Sequence, residues 1–454
     1  MSPERALIAA SASILVLSLS GAAWAQQAPL PIGPAPIGST DFYTGLSAFG
    51  SFEDFGALND YSRGHNTSVL QRERPEYAAL GIPVSSFLLY PRLSTGVGFS
   101  DNIYAVDTGK TSDEYEEFEP NITAQSTWSR NTLNIDAGGQ FQLYDSKSSE
   151  NETGGHIRAA SQISFVGDSY GLIGGDVQHA FEPRTDGGSP VGAAAPAAYT
   201  TYGLYGRGVY QQSRIRGSLS VDFRGYNWDN VPATAGGIIS EKFRNDTITT
   251  VAARGEFAST PDAAIFGQLA YTDTSYVKAT GFPDRDSNEY QFRLGTDFDL
   301  TALIRGELGG GYVRREYAAA TYGTLDGFAA RGQVEYFPSP LTTFTVNVSR
   351  SIQDAVIPNS GGYFSNLVAL RADHELLRNL LLNAALTYEY DTFKGINRHD
   401  AIGNFRIGFQ YLLSRNIGLN ANYVYSKRES RGPSTLLGPE FNANRLFIGL
   451  VLQR

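Results

Sequence analysis

A two-residue alternation of apolar and polar side chains runs through most of this chain and limits what it can fold into. Between residues 288 and 300, Phe292 and Leu294 fall on one face of an extended segment, and Gln291 and Arg293 fall on the other. Such alternation predicts a β-strand with one apolar face. In water that apolar face would have to pack against a second layer of protein. In a membrane it needs none, provided that the sheet closes and no backbone edge meets lipid.

The alternation recurs from about residue 87 to residue 454 and predicts about eighteen strands, as in the larger outer-membrane barrels. Short turns such as Ser213-Arg214 alternate with long polar or Gly-rich loops such as 229–243. This asymmetry is typical of a bacterial outer-membrane barrel with its short turns in the periplasm. We therefore predict an all-β fold, a transmembrane antiparallel β-barrel over residues 87–454. The predicted strands are 87–106, 114–128, 131–146, 154–167, 169–184, 199–212, 214–228, 244–259, 262–278, 286–300, 302–318, 325–338, 340–354, 363–377, 379–393, 399–414, 416–429 and 440–454.

A large soluble all-β protein, such as a sandwich or a propeller, is the alternative. Its strands are shorter, and its loops do not alternate systematically in length. After the N-terminal region, no apolar run is long enough for a helical membrane span. The formal net charge of -10 is spread along the chain without a basic stripe, which argues against a nucleic-acid partner.

The first 25 residues have the pattern of a secretory signal peptide. Arg5 supplies the positive charge, residues 6–19 are mostly apolar, and Ala23-Trp24-Ala25 is a small-x-small cleavage site before Gln26. The chain has no cysteine, which fits an oxidising compartment and excludes a lipid anchor on cysteine. Residues 26–86 begin with a Pro-rich linker, and we expect either a periplasmic arm or a plug that folds back into the barrel.

Charged side chains alternate with the apolar ones along most predicted strands. An arginine or lysine on the lipid face costs about 2–4 kcal/mol at mid-bilayer, so these charges belong in the lumen. They either set up a transverse field that orients polar solutes or pair across strands and line a wet wall. The predicted pore-lining residues are Arg216, Asp222, Arg224, Arg254, Glu256, Arg293, Asp297, Arg305, Glu307, Arg331, Glu335, Arg371, Asp373, Glu389 and Arg406.

Aromatic residues near the predicted strand ends match the girdles that barrels place at membrane interfaces. A lumenal stack on sugar rings is a second interpretation of Tyr226 and Trp228. The residues assigned to the girdles are Trp128, Tyr144, Tyr226, Trp228, Tyr388 and Tyr390.

No motif in the sequence predicts catalysis. Residues 167–171 match G-x-S-x-G, but that motif needs a strand-to-helix elbow, and here it falls in a predicted hairpin turn. His374-Glu375 lacks a second histidine at the spacing of a zinc protease. We predict no catalytic, cofactor-binding or metal-binding residues and no cofactor.

Four short segments near the start of the barrel resemble the opening of the putative β-barrel porin 2 family: 72–77 (RERPEY), 80–83 (LGIP), 87–91 (FLLYP) and 100–105 (SDNIYA). The resemblance covers about residues 72–454 and implies an outer-membrane barrel of Gram-negative bacteria. It also suggests a role beside exopolysaccharide export. The terminal strand is similar to the signal read by the barrel-assembly machinery, although it ends in Arg454 rather than in an aromatic residue.

Taken together, these features predict a porin-like aqueous channel for polar solutes in the outer membrane, delivered by a cleaved signal peptide. A role in exopolysaccharide export is a narrower form of this hypothesis. A barrel enzyme, or a structural outer-membrane anchor without an open pore, is the alternative. The expected partners are outer-membrane lipid and lipopolysaccharide, the barrel-assembly machinery and polysaccharide export components, with no nucleic acid.

Overall fold

The computed structural model describes residues 66–279, 283–301, 303–357, 360–432 and 440–454, and long strands form its framework. We number these strands in chain order. They are β1 (Phe87–Ser100), β2 (Asp113–Ser126), β3 (Thr132–Tyr144), β4 (Glu152–Ser164), β5 (Tyr170–Phe181), β6 (Ala198–Gln212), β7 (Ile215–Trp228), β8 (Asp246–Thr260), β9 (Ala263–Tyr276), β10 (Ser287–Leu300), β11 (Ile304–Tyr317), β12 (Thr324–Ser339), β13 (Thr342–Asp354), β14 (Gly362–Leu377), β15 (Leu380–Phe393), β16 (His399–Leu412), β17 (Ile417–Arg431) and β18 (Phe441–Gln453).

The sheet closes into a barrel. Each strand pairs antiparallel with its chain neighbours, and β18 pairs with β1 from Gln453 opposite Arg92 to Arg445 opposite Ser100. A short extra strand, Ile82–Val84, pairs with the start of β1. Within the described residues, no helix has both the length and the hydrophobicity of a membrane span. The prediction of an eighteen-stranded antiparallel barrel is confirmed.

The connections differ in length between the two ends of the barrel. Turns as short as residues 213–214 join strands at one end, whereas loops such as 182–197 and 229–245 join them at the other. Because outer-membrane barrels keep their short turns in the periplasm, the long loops mark the extracellular end. The start of β1 and the end of β18 both lie at the periplasmic end.

The first strand ends earlier than the sequence predicts, at Ser100 rather than at residue 106. The Asn102 side chain donates to the backbone carbonyls of Val106 at 2.7 Å and Asn442 at 2.8 Å. Asp101 accepts from the backbone N–H of Asn444 at 2.7 Å. These bonds turn the chain away from the strand and fasten the loop to β18. The Asp-Asn pair of the SDNIYA segment therefore reinforces the barrel closure.

The two faces of the wall differ in polarity as the alternation predicts. On β10, the outward side chains of Phe292 and Leu294 are 44% and 55% exposed, whereas Arg293 between them is 6% exposed. Register carries this parity from strand to strand, so inward and outward positions follow around the whole barrel. Outward positions are mostly apolar and inward positions are mostly polar.

The wall overlaps itself between β12 and β13. Their pairing ends where Ala330 lies opposite Arg350; above that level residues 324–329 pair with β11, and residues 351–354 pair with β14. Ile352 holds an outward position on β13 but is 3% exposed, because it packs against the inward side chains of Leu325 and Ala329. The top of the β13–β14 hairpin therefore lies inside the wall, behind β12. We call its residues 351–357 and 360–365 the inward hairpin.

Candidate functional site in the lumen

A cluster of charged side chains occupies the middle of the lumen. Arg254 on β8 contacts Glu256 at 2.5 Å, Glu307 on β11 at 2.9 Å and Asp297 on β10 at 3.6 Å. Arg216 lies 3.5 Å from the same Glu256. Two strands separate β8 from β11, so a direct Arg254–Glu307 contact is possible only across the concave side of the wall. These groups face one common interior.

An aromatic ring supports the Arg254 guanidinium. The Arg254 Cζ lies 3.7 Å from the centre of the inward Phe266 ring. That ring lies over two glycines: a Cβ at Gly295 would approach it to 2.4 Å, and one at Gly309 would approach it to 3.0 Å. Gly309 belongs to a run of three glycines on β11, and glycine inside a strand marks such a close approach. The two glycines leave room for the Phe266 ring on the inner face of the wall. The ring in turn stabilises the Arg254 guanidinium that lies over it.

Neighbouring inward residues extend the charged lining. Arg224 pairs with Asp176 of β5 at 2.9 Å rather than with Asp222 on its own strand. Arg293 donates to Gln268 of β9 at 2.8 Å. By strand register, the predicted pore-lining residues Arg331 and Glu389 also take inward positions.

The opposite side of the lumen carries a second basic group. Arg371 pairs with Asp373 at 2.7 Å. Arg406 on β16 faces inward beside this pair, and Arg445 on β18 lies over the Tyr115 ring at 5.1 Å. Sequence reasoning missed Arg445 because the terminal strand was considered only as an assembly signal. Its inward parity is visible in the sequence once Leu446 and Ile448 are recognised as outward.

The N-terminal residues 66–81, which we call the strap, follow the inner rim of the periplasmic mouth. Arg305, which also binds Glu335 at 2.5 Å, donates to the carbonyl of Asn66 at 3.0 Å and to Gln71 at 2.6 Å. Further along, Arg74 pairs with Glu375 on β14 at 2.6 Å, with both side chains buried. The two expectations for residues 26–86 were an arm and a plug. The described part of this segment lies against the inner rim, and residues 26–65 fall outside the described residues.

The extracellular loop 182–197 crosses the lumen. At its base, Glu182 accepts two hydrogen bonds from Arg244, at 2.5 and 2.9 Å. Its tip reaches β17, where a Cβ on Gly187 would lie 2.7 Å from the Arg428 guanidinium. Since β18 and β1 to β4 separate β17 from β5, the loop reaches Arg428 only through the interior. The loop therefore narrows the channel from within.

The loop also meets the inward hairpin. A Cβ on Gly188 would lie 3.1 Å from Val356 of that hairpin. The Arg244 guanidinium stacks on the Trp228 ring at 3.4 Å and donates to Glu241 at 3.2 Å, which ties the loop base to the neighbouring loop 229–245. Loop and hairpin together form the constriction of the extracellular half of the lumen.

Electrostatics at the loop base are governed by burial. One guanidinium, that of Arg244, faces the carboxylates of Glu182, Glu241 and Asp186. Burial raises the pKa of Glu182 to about 7, opposed by its hydrogen bonds and charge interaction with Arg244. The Glu182 carboxyl is buried out of water, and the Arg244 guanidinium that it binds also faces two other acids. Proton binding by the Glu182 carboxyl is therefore linked to whether loop 182–197 is docked in the lumen.

Three of the aromatic residues assigned to the membrane girdles face the lumen instead. Tyr144 packs on the inward Tyr115, Tyr226 shares the inward parity of Arg224, and Trp228 lies under Arg244. The assignment was wrong for them because aromatic residues at strand ends occur on both faces, and only register separates the two. Trp128, Tyr388 and Tyr390 have exposed side chains on the outer face, and their assignment to the girdles stays a prediction.

The G-x-S-x-G segment, residues 167–171, joins two strands and so lacks the strand-to-helix elbow that the motif needs. It lies in the turn between β4 and β5, where the Ser169 carbonyl accepts from the Phe165 N–H at 2.9 Å. The Ser169 hydroxyl accepts from the backbone N–H of Gln211 at 3.2 Å. In the part of the chain that the structure describes, no three potential metal ligands come together.

Residues 74–454 match the family model described as Putative beta-barrel porin 2. No curated protein matches the chain. A BenF-like porin from Pseudomonas fluorescens Pf-5 is 12% identical, with 82% of this chain and 100% of that chain covered and a TM-score of 0.46. OccK2 (OpdF) of Pseudomonas aeruginosa, solved with glucuronate, is 13% identical, with 80% and 97% covered and a TM-score of 0.44. The outer membrane protein opdK of the same species is 12% identical, with 81% and 98% covered and a TM-score of 0.42.

Proposed function

The chain belongs to the Putative beta-barrel porin 2 family of outer-membrane barrels, and we propose that it is a channel for small polar solutes with an internal constriction. The observation that carries the proposal is the contact of Arg254 with Glu307 across two intervening strands. It supports a polar interior that charged groups from several strands share. Paired charges of both signs suit neutral or zwitterionic polar solutes, because neither sign dominates the lining.

The constriction supports a selective channel rather than a wide pore. Loop 182–197 reaches Arg428 through the interior, and the inward hairpin meets it at Gly188. At the periplasmic mouth, the strap covers part of the opening. A channel narrowed at both ends passes small molecules and excludes large ones, so we expect a low single-channel conductance.

Conductance in planar lipid bilayers tests this proposal. Purified wild-type protein should give discrete current steps, and R254A/E307A should change the step size and the cation-to-anion permeability ratio. The matched control is R314A/E316A, which removes an exposed pair of outward side chains on β11. Absence of current steps in every preparation, with the folded barrel verified by circular dichroism, would refute the channel.

Polysaccharide export is the second candidate, and only the family resemblance suggests it. A polymer chain would have to displace both loop 182–197 and the inward hairpin before it passed. Deletion of the gene in its native host tests it: loss of surface polysaccharide supports export, and unchanged polysaccharide with reduced uptake of small solutes supports the channel.

We also propose that the first 25 residues are removed on export. Mass spectrometry of protein purified from outer membranes should find a mature N-terminus at Gln26. An intact Met1 in that fraction would contradict this proposal. We propose no enzymatic activity, in keeping with a family described as porins.

A further inference from the structure

The inward hairpin has a second position available to it in the wall. Resting on the proposed channel function, we propose that this hairpin is the gate of the channel. In the described state it lies inside the barrel and narrows the lumen. In the second state it moves outward together with the end of β15 to which it is paired, extends the pairing between β12 and β13, and widens the constriction.

Specific side-chain contacts hold the β13 arm of the hairpin in the inward position, while its β14 arm is paired with β15 as far as Tyr363 opposite Phe393. Asp354 accepts from Arg315 of β11 at 2.7 Å and from the Tyr317 hydroxyl at 3.3 Å. The carbonyl of Ala355 accepts from Arg285 at 2.5 Å. Ile352 adds apolar packing behind β12. These contacts bypass β12, since β11 binds the end of β13 directly.

Because the hairpin lies inside the barrel, the upper part of β12 has an unpaired edge in the wall. Residues 324–329 of β12 have no strand partner on the β13 side in the described chain, and Arg350 donates from its Nε to the carbonyl of Phe328 at 3.0 Å. Such edges are unfavourable in a membrane wall because lipid offers no hydrogen bonds. Arg314 on the neighbouring strand β11 also faces outward, but its guanidinium pairs with Glu316 at 2.6 Å. Arg350, by contrast, donates to the edge of β12 and so satisfies one of its carbonyls.

Extending the existing register defines the second position. The ladder that ends with Ala330 opposite Arg350 continues with Ala329 opposite Ser351, Phe328 opposite Ile352 and Gly327 opposite Gln353. Parity agrees at each step: Ala329 and Ser351 would face the lumen, and Phe328 and Ile352 would face the lipid. Closure of the ladder therefore requires no change of strand register.

The two positions have opposing advantages. Outward, Ile352 would join Phe328, which is now 60% exposed, in an apolar pair, and the open edge would gain backbone partners. The next step of the ladder, however, places Asp354 opposite Asp326, which is unfavourable for like charges, and removes Asp354 from Arg315. Balanced states of this kind shift with small changes in contacts or solutes.

Movement of the hairpin changes the constriction directly. Gly188 of loop 182–197 packs against the Val356 side chain of the hairpin. When the hairpin enters the wall, this support is lost and the space behind β12 joins the lumen. Gate and constriction are therefore one coupled unit.

Disulfide staples separate the two positions cleanly, because the chain contains no cysteine. A329C/I352C joins side chains that now share one cluster and should trap the hairpin inward. F328C/I352C joins residues that are now on opposite faces of β12 and can bridge only in the outward position, since bridged Cα atoms lie within about 7 Å. V334C/V346C, directly opposite each other in the paired lower half, is the control.

We expect both gate staples to form under mild oxidant in lipid bilayers, with A329C/I352C forming at least tenfold faster. Oxidised A329C/I352C should abolish switching to the larger conductance level, oxidised F328C/I352C should hold that level, and reductant should reverse both. Failure of F328C/I352C to form while V334C/V346C forms fully would overturn the gate. Equal conductance of the two oxidised proteins would do so as well. If no variant conducts, the channel proposal fails, while the cross-linking yields still decide whether the hairpin moves.

The D354N variant provides a second, non-covalent test. It weakens the hold of Arg315 on the inward position and removes the like-charge opposition to Asp326. The rate of F328C/I352C cross-linking should rise severalfold in this background. An unchanged rate would overturn the proposed balance between the two positions.

Discussion

Single buried ion pairs fix the segments that enter this lumen. Arg74 and Glu375 hold the strap with side chains 3% and 5% exposed, while Glu76 of the strap pairs with Arg378 of the β14–β15 turn, with side chains 46% and 42% exposed. Breaking a buried pair leaves a charge without compensation, whereas an exposed charge returns to water. The structure therefore offers two pairs with similar chemistry and different expected effects.

We expect E375Q to loosen the strap. Loss of one partner of a buried pair destabilises by about 3–5 kcal/mol, and each 1.4 kcal/mol is a factor of about ten in the population released. Tryptic cleavage after Arg72 in folded proteoliposomes should become at least about tenfold faster. E76Q is the matched control and should leave the cleavage rate nearly unchanged. Equal rates for the two variants would show that Glu375 does not anchor the strap.

The docked position of loop 182–197 should depend on pH through Glu182. Burial raises the pKa of this carboxyl from its ordinary value of 4.5 to about 7, so the docked loop holds the proton more tightly than a free loop does. That contribution to docking is fully present below about pH 4.5 and is lost as pH rises toward 7. Mean conductance should increase between pH 5 and pH 8, and E182Q should remove most of the increase. A wild-type response of opposite sign would contradict the assignment.

At the level of strands and loops, the strands of the barrel wall could be predicted from the sequence, but the segments that lie inside the barrel could not. Each barrel strand has a predicted counterpart because period-two alternation is a local signal. The strap, the crossing of loop 182–197 and the inward hairpin depend on contacts between residues tens to hundreds of positions apart, such as Arg315 with Asp354 and Arg74 with Glu375. Ile352 illustrates the limit: its alternation marks it as outward, and the overlap of the wall buries it. Local pattern specifies parity, but not which strands pass behind others.

Removing the strap as an element should widen the periplasmic mouth. Deletion of residues 66–78 eliminates the bonds to Arg305 and Glu375 while leaving the barrel strands intact. We expect a higher conductance and faster swelling of liposomes in small sugars. Deletion of residues 26–38, the Pro-rich linker, is the control and should change neither the conductance nor the swelling rate. Unchanged conductance after both deletions would place the limiting constriction at loop 182–197 and the inward hairpin alone.

For the molecule as a whole, the fold requires that the apolar outer face of the barrel contact hydrocarbon. Two substitutions on opposite faces of β10 test this requirement. Leu294 lies near the middle of β10 and points outward, while Gln291 on the same strand points inward. An arginine on the lipid face near mid-bilayer destabilises by about 2–4 kcal/mol. We expect L294R to lower the free energy of unfolding in lipid vesicles by that amount. Q291R places the same charge in the wet lumen, so its effect should stay within about 1 kcal/mol. The difference between the variants measures the solvent on each side of the wall, and it should vanish if the two faces meet the same medium.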